Sequence, residues 1–155
     1  MKDYNDGFSE HFSFAELTYS KNHSELVAQN REDAKEYFLA GKRLSKLLES
    51  IREALGDKPL IVNSGFRNKE LNKAVGSKVN SKHMLFEAVD ITPSHITTKE
   101  AFVMLLQARK SGQLQDLRKV LLEGNWLHCE VAMSPNDYRG FFVSNDGNKT
   151  FEKVA

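Results

Sequence analysis

One cysteine, three prolines and no long apolar run set the first limits on this 155-residue chain. The single Cys129 excludes an internal disulfide, and its place on the apolar face of a strand pattern makes it a packing residue. No stretch reaches the roughly 18 apolar residues of a spanning helix, and no hydrophobic leader follows Met1-Lys2-Asp3-Tyr4, so the chain is expected to be made and folded in a cytoplasm. Charge of one sign is missing too. With 22 Lys and Arg against 21 Asp and Glu there is no basic field, which argues against nucleic acid or an anionic membrane as partner. No repeat, low-complexity tract or linker breaks the chain, and 40% hydrophobic with 28% charged residues is ordinary for a globular protein. A single domain over residues 1–155, acting as a monomer, is the expectation.

Capping signals and periodicity outline the elements. Ser13 with Glu16 is a capping-box pattern opening a short helix, and Thr97 with Glu100 repeats it before a helix bearing Ala101, Phe102, Leu105 and Leu106 that should stop near Gly112. Asn30 is placed as the cap of a long helix from Arg31 to Leu55, whose core positions Ala34, Tyr37, Phe38, Leu44, Leu47, Leu48, Ile51 and Leu55 recur at helical spacing before Gly56. Pro59 to Asn63 reads as a strand, Asn68 to Val75 as a short helix closed by Gly76, and Arg139–Ser144 with Lys149–Val154 as a hairpin. The fold class is α+β, with a mixed or mainly antiparallel sheet packed by helices.

Two distant segments carry the chemistry: Ser81-Lys82-His83-Met84-Leu85-Phe86-Glu87-Ala88-Val89-Asp90 and Trp126-Leu127-His128. His83, Asp90 and His128 amount to two imidazoles and one carboxylate, the ligand set of a catalytic zinc ion that keeps one position open. Regular structure between His83 and Asp90 would hold them roughly 10 to 23 Å apart, so the chain has to fold back between them. Beyond Glu87 the pattern alternates, with Val89 and Ile91 on one face and Asp90 on the other. The second segment alternates likewise: Leu127, Cys129, Val131 and Met133 face a core, and Trp126, His128 and Glu130 face a site. Met84, Met104 and Met133 read as packing, and His11, His23 and His95 as structural or solvent-facing.

Ser81-x-His83-x-x-Phe86-x-Ala88-x-Asp90 resembles the Ser-x-His-x-x-Gly-x-Ala-x-Asp signature of the zinc D-alanyl-D-alanine carboxypeptidases, vancomycin-resistance dipeptidases and phage endolysin peptidases. Trp126-Leu127-His128 resembles their Trp-x-His. Asn63-Ser64-Gly65-Phe66-Arg67 with Leu71-Asn72-Lys73-Ala74-Val75-Gly76 is similar to their Ser-Gly-Tyr-Arg and Leu-Asn-x-x-Val-Gly block, and His11 to Ser20 resembles the opening of the phage-type branch. The blocks run in family order from about residue 8 to about residue 131. Phe86 departs from the pattern, standing where the family usually has glycine.

The resemblance implies a Hedgehog/D-Ala-D-Ala peptidase-like fold and a Zn2+ cofactor held by His83, Asp90 and His128. It implies hydrolysis of peptidoglycan stem peptides near D-alanine, as carboxypeptidase or endopeptidase, with another factor carrying the protein to the wall. Amide hydrolysis also needs a base to move the water's proton to the leaving amine. Glu123, five residues before His128, is preferred over Glu130, because the phage-type branch carries an acidic residue upstream of its Trp-x-His. Arg67 is expected to bind a substrate carboxylate or carbonyl through its planar fork, Ser81 to hydrogen-bond near the ligands and Trp126 to wall the cleft. Two alternatives stand: a metal-bearing binding or structural module without catalysis, such as a virion component, and cleavage of a non-wall amide.

Overall fold

Both helix N-caps form. In the computed structural model, which describes residues 8–155, helix α1 (Phe14–Leu17) opens where the Ser13 hydroxyl accepts the Glu16 N–H at 3.0 Å. Helix α5 (Thr98–Lys110) opens where Thr97 accepts the Glu100 N–H, also at 3.0 Å, and Gly112 follows its end with φ 90°. Residues 1–4, after which no leader is read, lie outside the described residues.

The long helix expected from Arg31 to Leu55 is a helix α2 (Val27–Ala34), a tight 3-10 turn (Lys35–Tyr37) and a helix α3 (Phe38–Ala54). Asn30 does not cap it. Its buried side chain lies inside α2, donating to the carbonyls of Thr18 and Phe66 at 2.9 and 3.0 Å and accepting the Asn68 N–H at 2.6 Å. A cap would satisfy one backbone group, whereas this buried amide satisfies three from distant segments. The tertiary role therefore outweighs the local one.

Six strands form one sheet among the described residues: β1 (Leu60–Ser64), β2 (Ala88–Pro93), β3 (Leu117–Glu123), β4 (Trp126–Val131), β5 (Gly140–Val143) and β6 (Glu152–Lys153). Their order is β1-β2-β4-β3-β5-β6, and each pairing is antiparallel except the parallel one of β3 with β5. Helix α4 (Lys69–Ala74) follows β1, with Asn68 accepting the Leu71 N–H at 2.8 Å. Strand β3 escapes a period-2 reading. Leu117 and Val120 are both fully buried although three residues apart, because the ladder with β4 shifts register between Leu117 and Lys119. Leu117 pairs with Val131 and Lys119 with Glu130, which leaves Arg118 as the extra residue of a β-bulge.

The sheet has an apolar and a polar face, as the alternation in β2 and β4 requires. Val89, Ile91, Val120, Leu127, Cys129 and Val131 are fully buried in one core with Leu44, Leu48 and Ile51 of α3 and Ala101 and Leu105 of α5. Met133 is the exception: it lies beyond β4 and is 37% exposed, because the strand ends before its turn to face inward.

Phe86 resolves the departure from the glycine pattern. Its backbone is left-handed, φ 61° and ψ 32°, the conformation that glycine adopts freely and that costs another residue about 1–2 kcal/mol. Its ring is fully buried, with centroids 5.3, 5.8 and 6.4 Å from those of Phe66, Phe8 and Phe14. Burial of an aromatic side chain stabilises by more than the backbone penalty. Room for the ring comes from Gly41 in α3, where an added Cβ would lie 2.7 Å from Phe86 Cε2.

Two stability measurements check this packing. Gly41→Ala should lower unfolding free energy in urea by about 1–3 kcal/mol through overpacking, although alanine favours the helix. Phe86→Gly should also destabilise, since about 3–5 kcal/mol of lost ring packing exceeds the backbone relief. A Phe86→Gly variant as stable as the parent chain would contradict the anchoring role.

Candidate metal centre

Register places the first two groups. In the antiparallel β2–β4 ladder Asp90 stands directly opposite His128, and directly opposed residues project to the same face. The His128 Nδ1 and Asp90 Oδ1 atoms are 3.0 Å apart. His83 arrives from a different direction, on a 3-10 turn (Lys82–Leu85) whose first residue follows Ser81; the Ser81 hydroxyl accepts the His83 N–H at 3.2 Å. The left-handed Phe86 then reverses the chain into β2, so the fold-back required between His83 and Asp90 is present. His83 Nε2 lies 3.4 Å from Asp90 Oδ1, and one candidate ligand atom from each of His83, Asp90 and His128 lies within 4.8 Å of the others.

The donor set fits a metal ion on its own chemistry. His83 is almost wholly buried, yet its Nε2 has no hydrogen-bond partner. Its other nitrogen, Nδ1, lies 2.7 Å from the carbonyl oxygen of Gly65, which can only accept; Nδ1 therefore carries the proton and the Nε2 lone pair faces the centre. An uncompensated buried acceptor is costly unless something binds it. Gly65 itself is dictated by close approach. An added Cβ there would come within 2.2 Å of the Leu17 carbonyl oxygen, which accepts the Phe66 N–H at 2.8 Å.

Electrostatics separate the two imidazoles. Burial pushes His83 down, against the opposing pull of Asp90. Burial would also depress His128, but hydrogen bonds with Asp90 and Glu130 raise it to about 9. Asp90 is held well below the usual carboxylate range: burial opposes this, and the attraction of His83 and His128, with the hydrogen bond from His128, prevails.

Two further carboxylates reach the centre in different ways. Glu123, at the end of β3, pairs across the hairpin with Trp126, and its Oε1 lies 3.9 Å from His128 Nδ1, the nitrogen on the Asp90 side. Burial, followed by the charge of Asp90, pushes its carboxyl up. Glu130 lies on the opposite side of the ring. Its Oε2 is 2.8 Å from His128 Nε2, and its Oε1 is bonded to Arg118 Nη1.

Arg67 is buried rather than exposed, and its guanidinium lies in the field of Asp90 and Glu123. Its Nη2 has only long contacts, 3.4 Å to the Ser77 hydroxyl and 3.5 Å to that of Ser81, while its Nε is buried without a partner. Ser81 thus sits between the His83 turn and Arg67. Trp126 is half-buried, and its indole N–H also lacks a partner. The remaining histidines fall elsewhere: His11 Nδ1 is bonded to Glu49 at 2.7 Å, His23 lies 3.7 Å from Glu25, and His95 is exposed.

Ser77, Arg118 and Asp137 are the neighbours that the sequence did not single out. Ser77 sits just past Gly76 in a block already marked. For Arg118 no pattern exists, since a bulge re-aims it.

Comparison with known proteins adds the family. Over 85 residues, 55% of its length, the chain is 34% identical to the zinc D-Ala-D-Ala carboxypeptidase of Streptomyces albus G. That match spans 32% of the relative, so the shared part is about a third of the longer protein. The family model described as Peptidase M15 matches residues 10–130, a stretch that contains every one of the residues gathered around His83, Asp90 and His128 except Asp137. The chain belongs to the Peptidase M15 family.

Proposed function

We propose that this protein is a zinc-dependent peptidase that hydrolyses peptide bonds of peptidoglycan stem peptides near D-alanine, as a carboxypeptidase or an endolysin-type endopeptidase. The observation that carries the reading is the convergence of His83, Asp90 and His128 with a buried, unpartnered nitrogen on His83. The name of the Streptomyces albus G relative supports both the metal and the substrate class. His83 through Nε2, His128 through Nδ1 and Asp90 would hold the ion. When bound, zinc supplies Lewis acidity to the scissile carbonyl and lowers the pKa of a water molecule towards neutrality.

The remaining work falls to side chains. Glu123 takes the proton of the attacking water and hands it to the leaving amine nitrogen, a role supported by its Oε1 lying 3.9 Å from His128 Nδ1 without replacing a ligand. Glu130 has both oxygens engaged, by His128 and Arg118, and does not compete for this role. Arg67 offers an unsatisfied Nε–H and a loosely held Nη2 at the same centre, suited to a substrate carboxylate or carbonyl. Ser81 steadies that guanidinium, and Trp126 lines the cleft with a free indole donor.

Digestion of purified peptidoglycan, with the new ends identified by mass spectrometry, tests the reading and distinguishes the bonds. Release of D-alanine marks a carboxypeptidase, and internal cuts mark an endopeptidase. A zinc-loaded chain that releases nothing would make it a binding module, and release from a non-wall amide alone would move the substrate class. Glu123→Gln should lower the rate by about 10²–10⁴-fold while stoichiometric zinc is retained, measured by metal analysis alongside turnover. Gly65→Ala should weaken zinc binding, read by chelator competition, because moving the Gly65 carbonyl releases His83 from its orientation.

A further inference from the structure

The two imidazoles of the centre are backed unequally. Behind His83 stands a neutral acceptor, the Gly65 carbonyl. Behind His128 stands a carboxylate, Glu130 Oε2, at 2.8 Å from Nε2. Glu130 is 5% exposed, and its second oxygen is bonded to Arg118 Nη1, so the carboxylate has no freedom to turn. Arg118 continues the chain of charges, donating from Nε to Asp137 Oδ2 at 2.9 Å in the segment between β4 and β5.

The β-bulge makes this chain possible. Without the register shift between Leu117 and Lys119, strand alternation would put Arg118 on the opposite face from Lys119, the residue paired with Glu130. As the extra residue of the bulge, Arg118 turns its side chain onto Glu130 instead. Its side chain is only 12% exposed, which protects the bonds from water. Three charged residues are thus committed to the side of His128 that faces away from Asp90.

We propose that Glu130, locked by Arg118 and Asp137, is the positioning residue of the metal centre: it keeps the His128 proton on Nε2 and directs the Nδ1 lone pair at the ion. This rests on the zinc reading above. A carboxylate behind a ligand imidazole fixes its tautomer and ring plane and raises its basicity, and loss of such a partner typically costs 10–100-fold in metal affinity. Arg118 acts through Glu130, and Asp137 through Arg118. The roles of the two glutamates divide accordingly, Glu123 moving protons at the substrate and Glu130 holding a ligand.

Zinc affinity by chelator competition on the full chain, with Glu130→Gln, Glu130→Ala, Arg118→Met and the double variant Glu130→Gln/Arg118→Met, tests the proposal. Glu130→Ala should weaken zinc binding by about 10–100-fold. Glu130→Gln, which keeps an acceptor oxygen but loses the charge, should fall between it and the parent chain. Arg118→Met should weaken binding in the parent background and have a much smaller effect beside Glu130→Gln, since residues in one network are not additive. Nitrogen-15 NMR of the zinc-loaded parent chain should show His128 protonated at Nε2, with the resonance moved in Glu130→Gln and that of His83 unmoved. Variants within twofold of the parent affinity, a His128 proton on Nδ1, or additive effects of the two substitutions would each overturn the positioning role. A parent chain that fails to bind zinc at all would instead overturn the zinc reading on which it rests.

Discussion

Everything at the candidate metal centre depends on one register: Asp90 of β2 opposite His128 of β4. Antiparallel pairing brings directly opposed side chains within about 5 Å on one face, so the ladder itself delivers two of the three candidate ligand groups. A slip of β2 by one residue would turn Asp90 into the core, away from His128, and bring Val89 outward. The apolar faces of β2 and β4, buried against α3 and α5, forbid that slip. The hydrophobic core thus determines the geometry of a polar site on the other side of the same sheet.

The third group needs a different device, because an extended chain from His83 to Asp90 would hold the two roughly 23 Å apart. A single 3-10 turn and one left-handed residue provide the reversal, and Phe86 joins that reversal to the core. Glycine at such a position gains conformational freedom and nothing else. Phenylalanine accepts backbone strain and gains a buried ring, for which Gly41 leaves the space. The departure from the family pattern is therefore matched by the architecture around it, and it sits on the core side of the turn rather than in the cleft.

Orientation is a separate problem from proximity. Each imidazole has two nitrogens, and each presents a different one to the centre: Nε2 for His83 and Nδ1 for His128. What decides is the acceptor behind the ring, the Gly65 carbonyl for one and the Glu130 carboxylate for the other. Both acceptors are placed by backbone irregularities. Gly65 permits contact between the end of β1 and α1, and the bulge at Arg118 supplies the counter-charge for Glu130.

Much of this was legible in the residues themselves. The N-caps at Ser13 and Thr97 and the alternation through Asp90 and His128 follow from local chemistry and spacing, which a short stretch of chain carries in full; the gathering of His83, Asp90 and His128 was expected only from the resemblance of the ordered motif blocks. Asn30, the break at Tyr37, strand β3 and the Arg118–Glu130–Asp137 chain did not. Each depends on partners distant in sequence: Asn30 serves Thr18, Phe66 and Asn68, and β3 hides its period behind a bulge. The preference for Glu123 over Glu130 rested on the resemblance alone, because both are acidic and both lie near His128 in sequence. Residue type and periodicity determined which groups are present and which face of a strand they occupy; only packing and ladder register decided which side of an imidazole each carboxylate reaches, since that depends on distances between elements that no local pattern encodes.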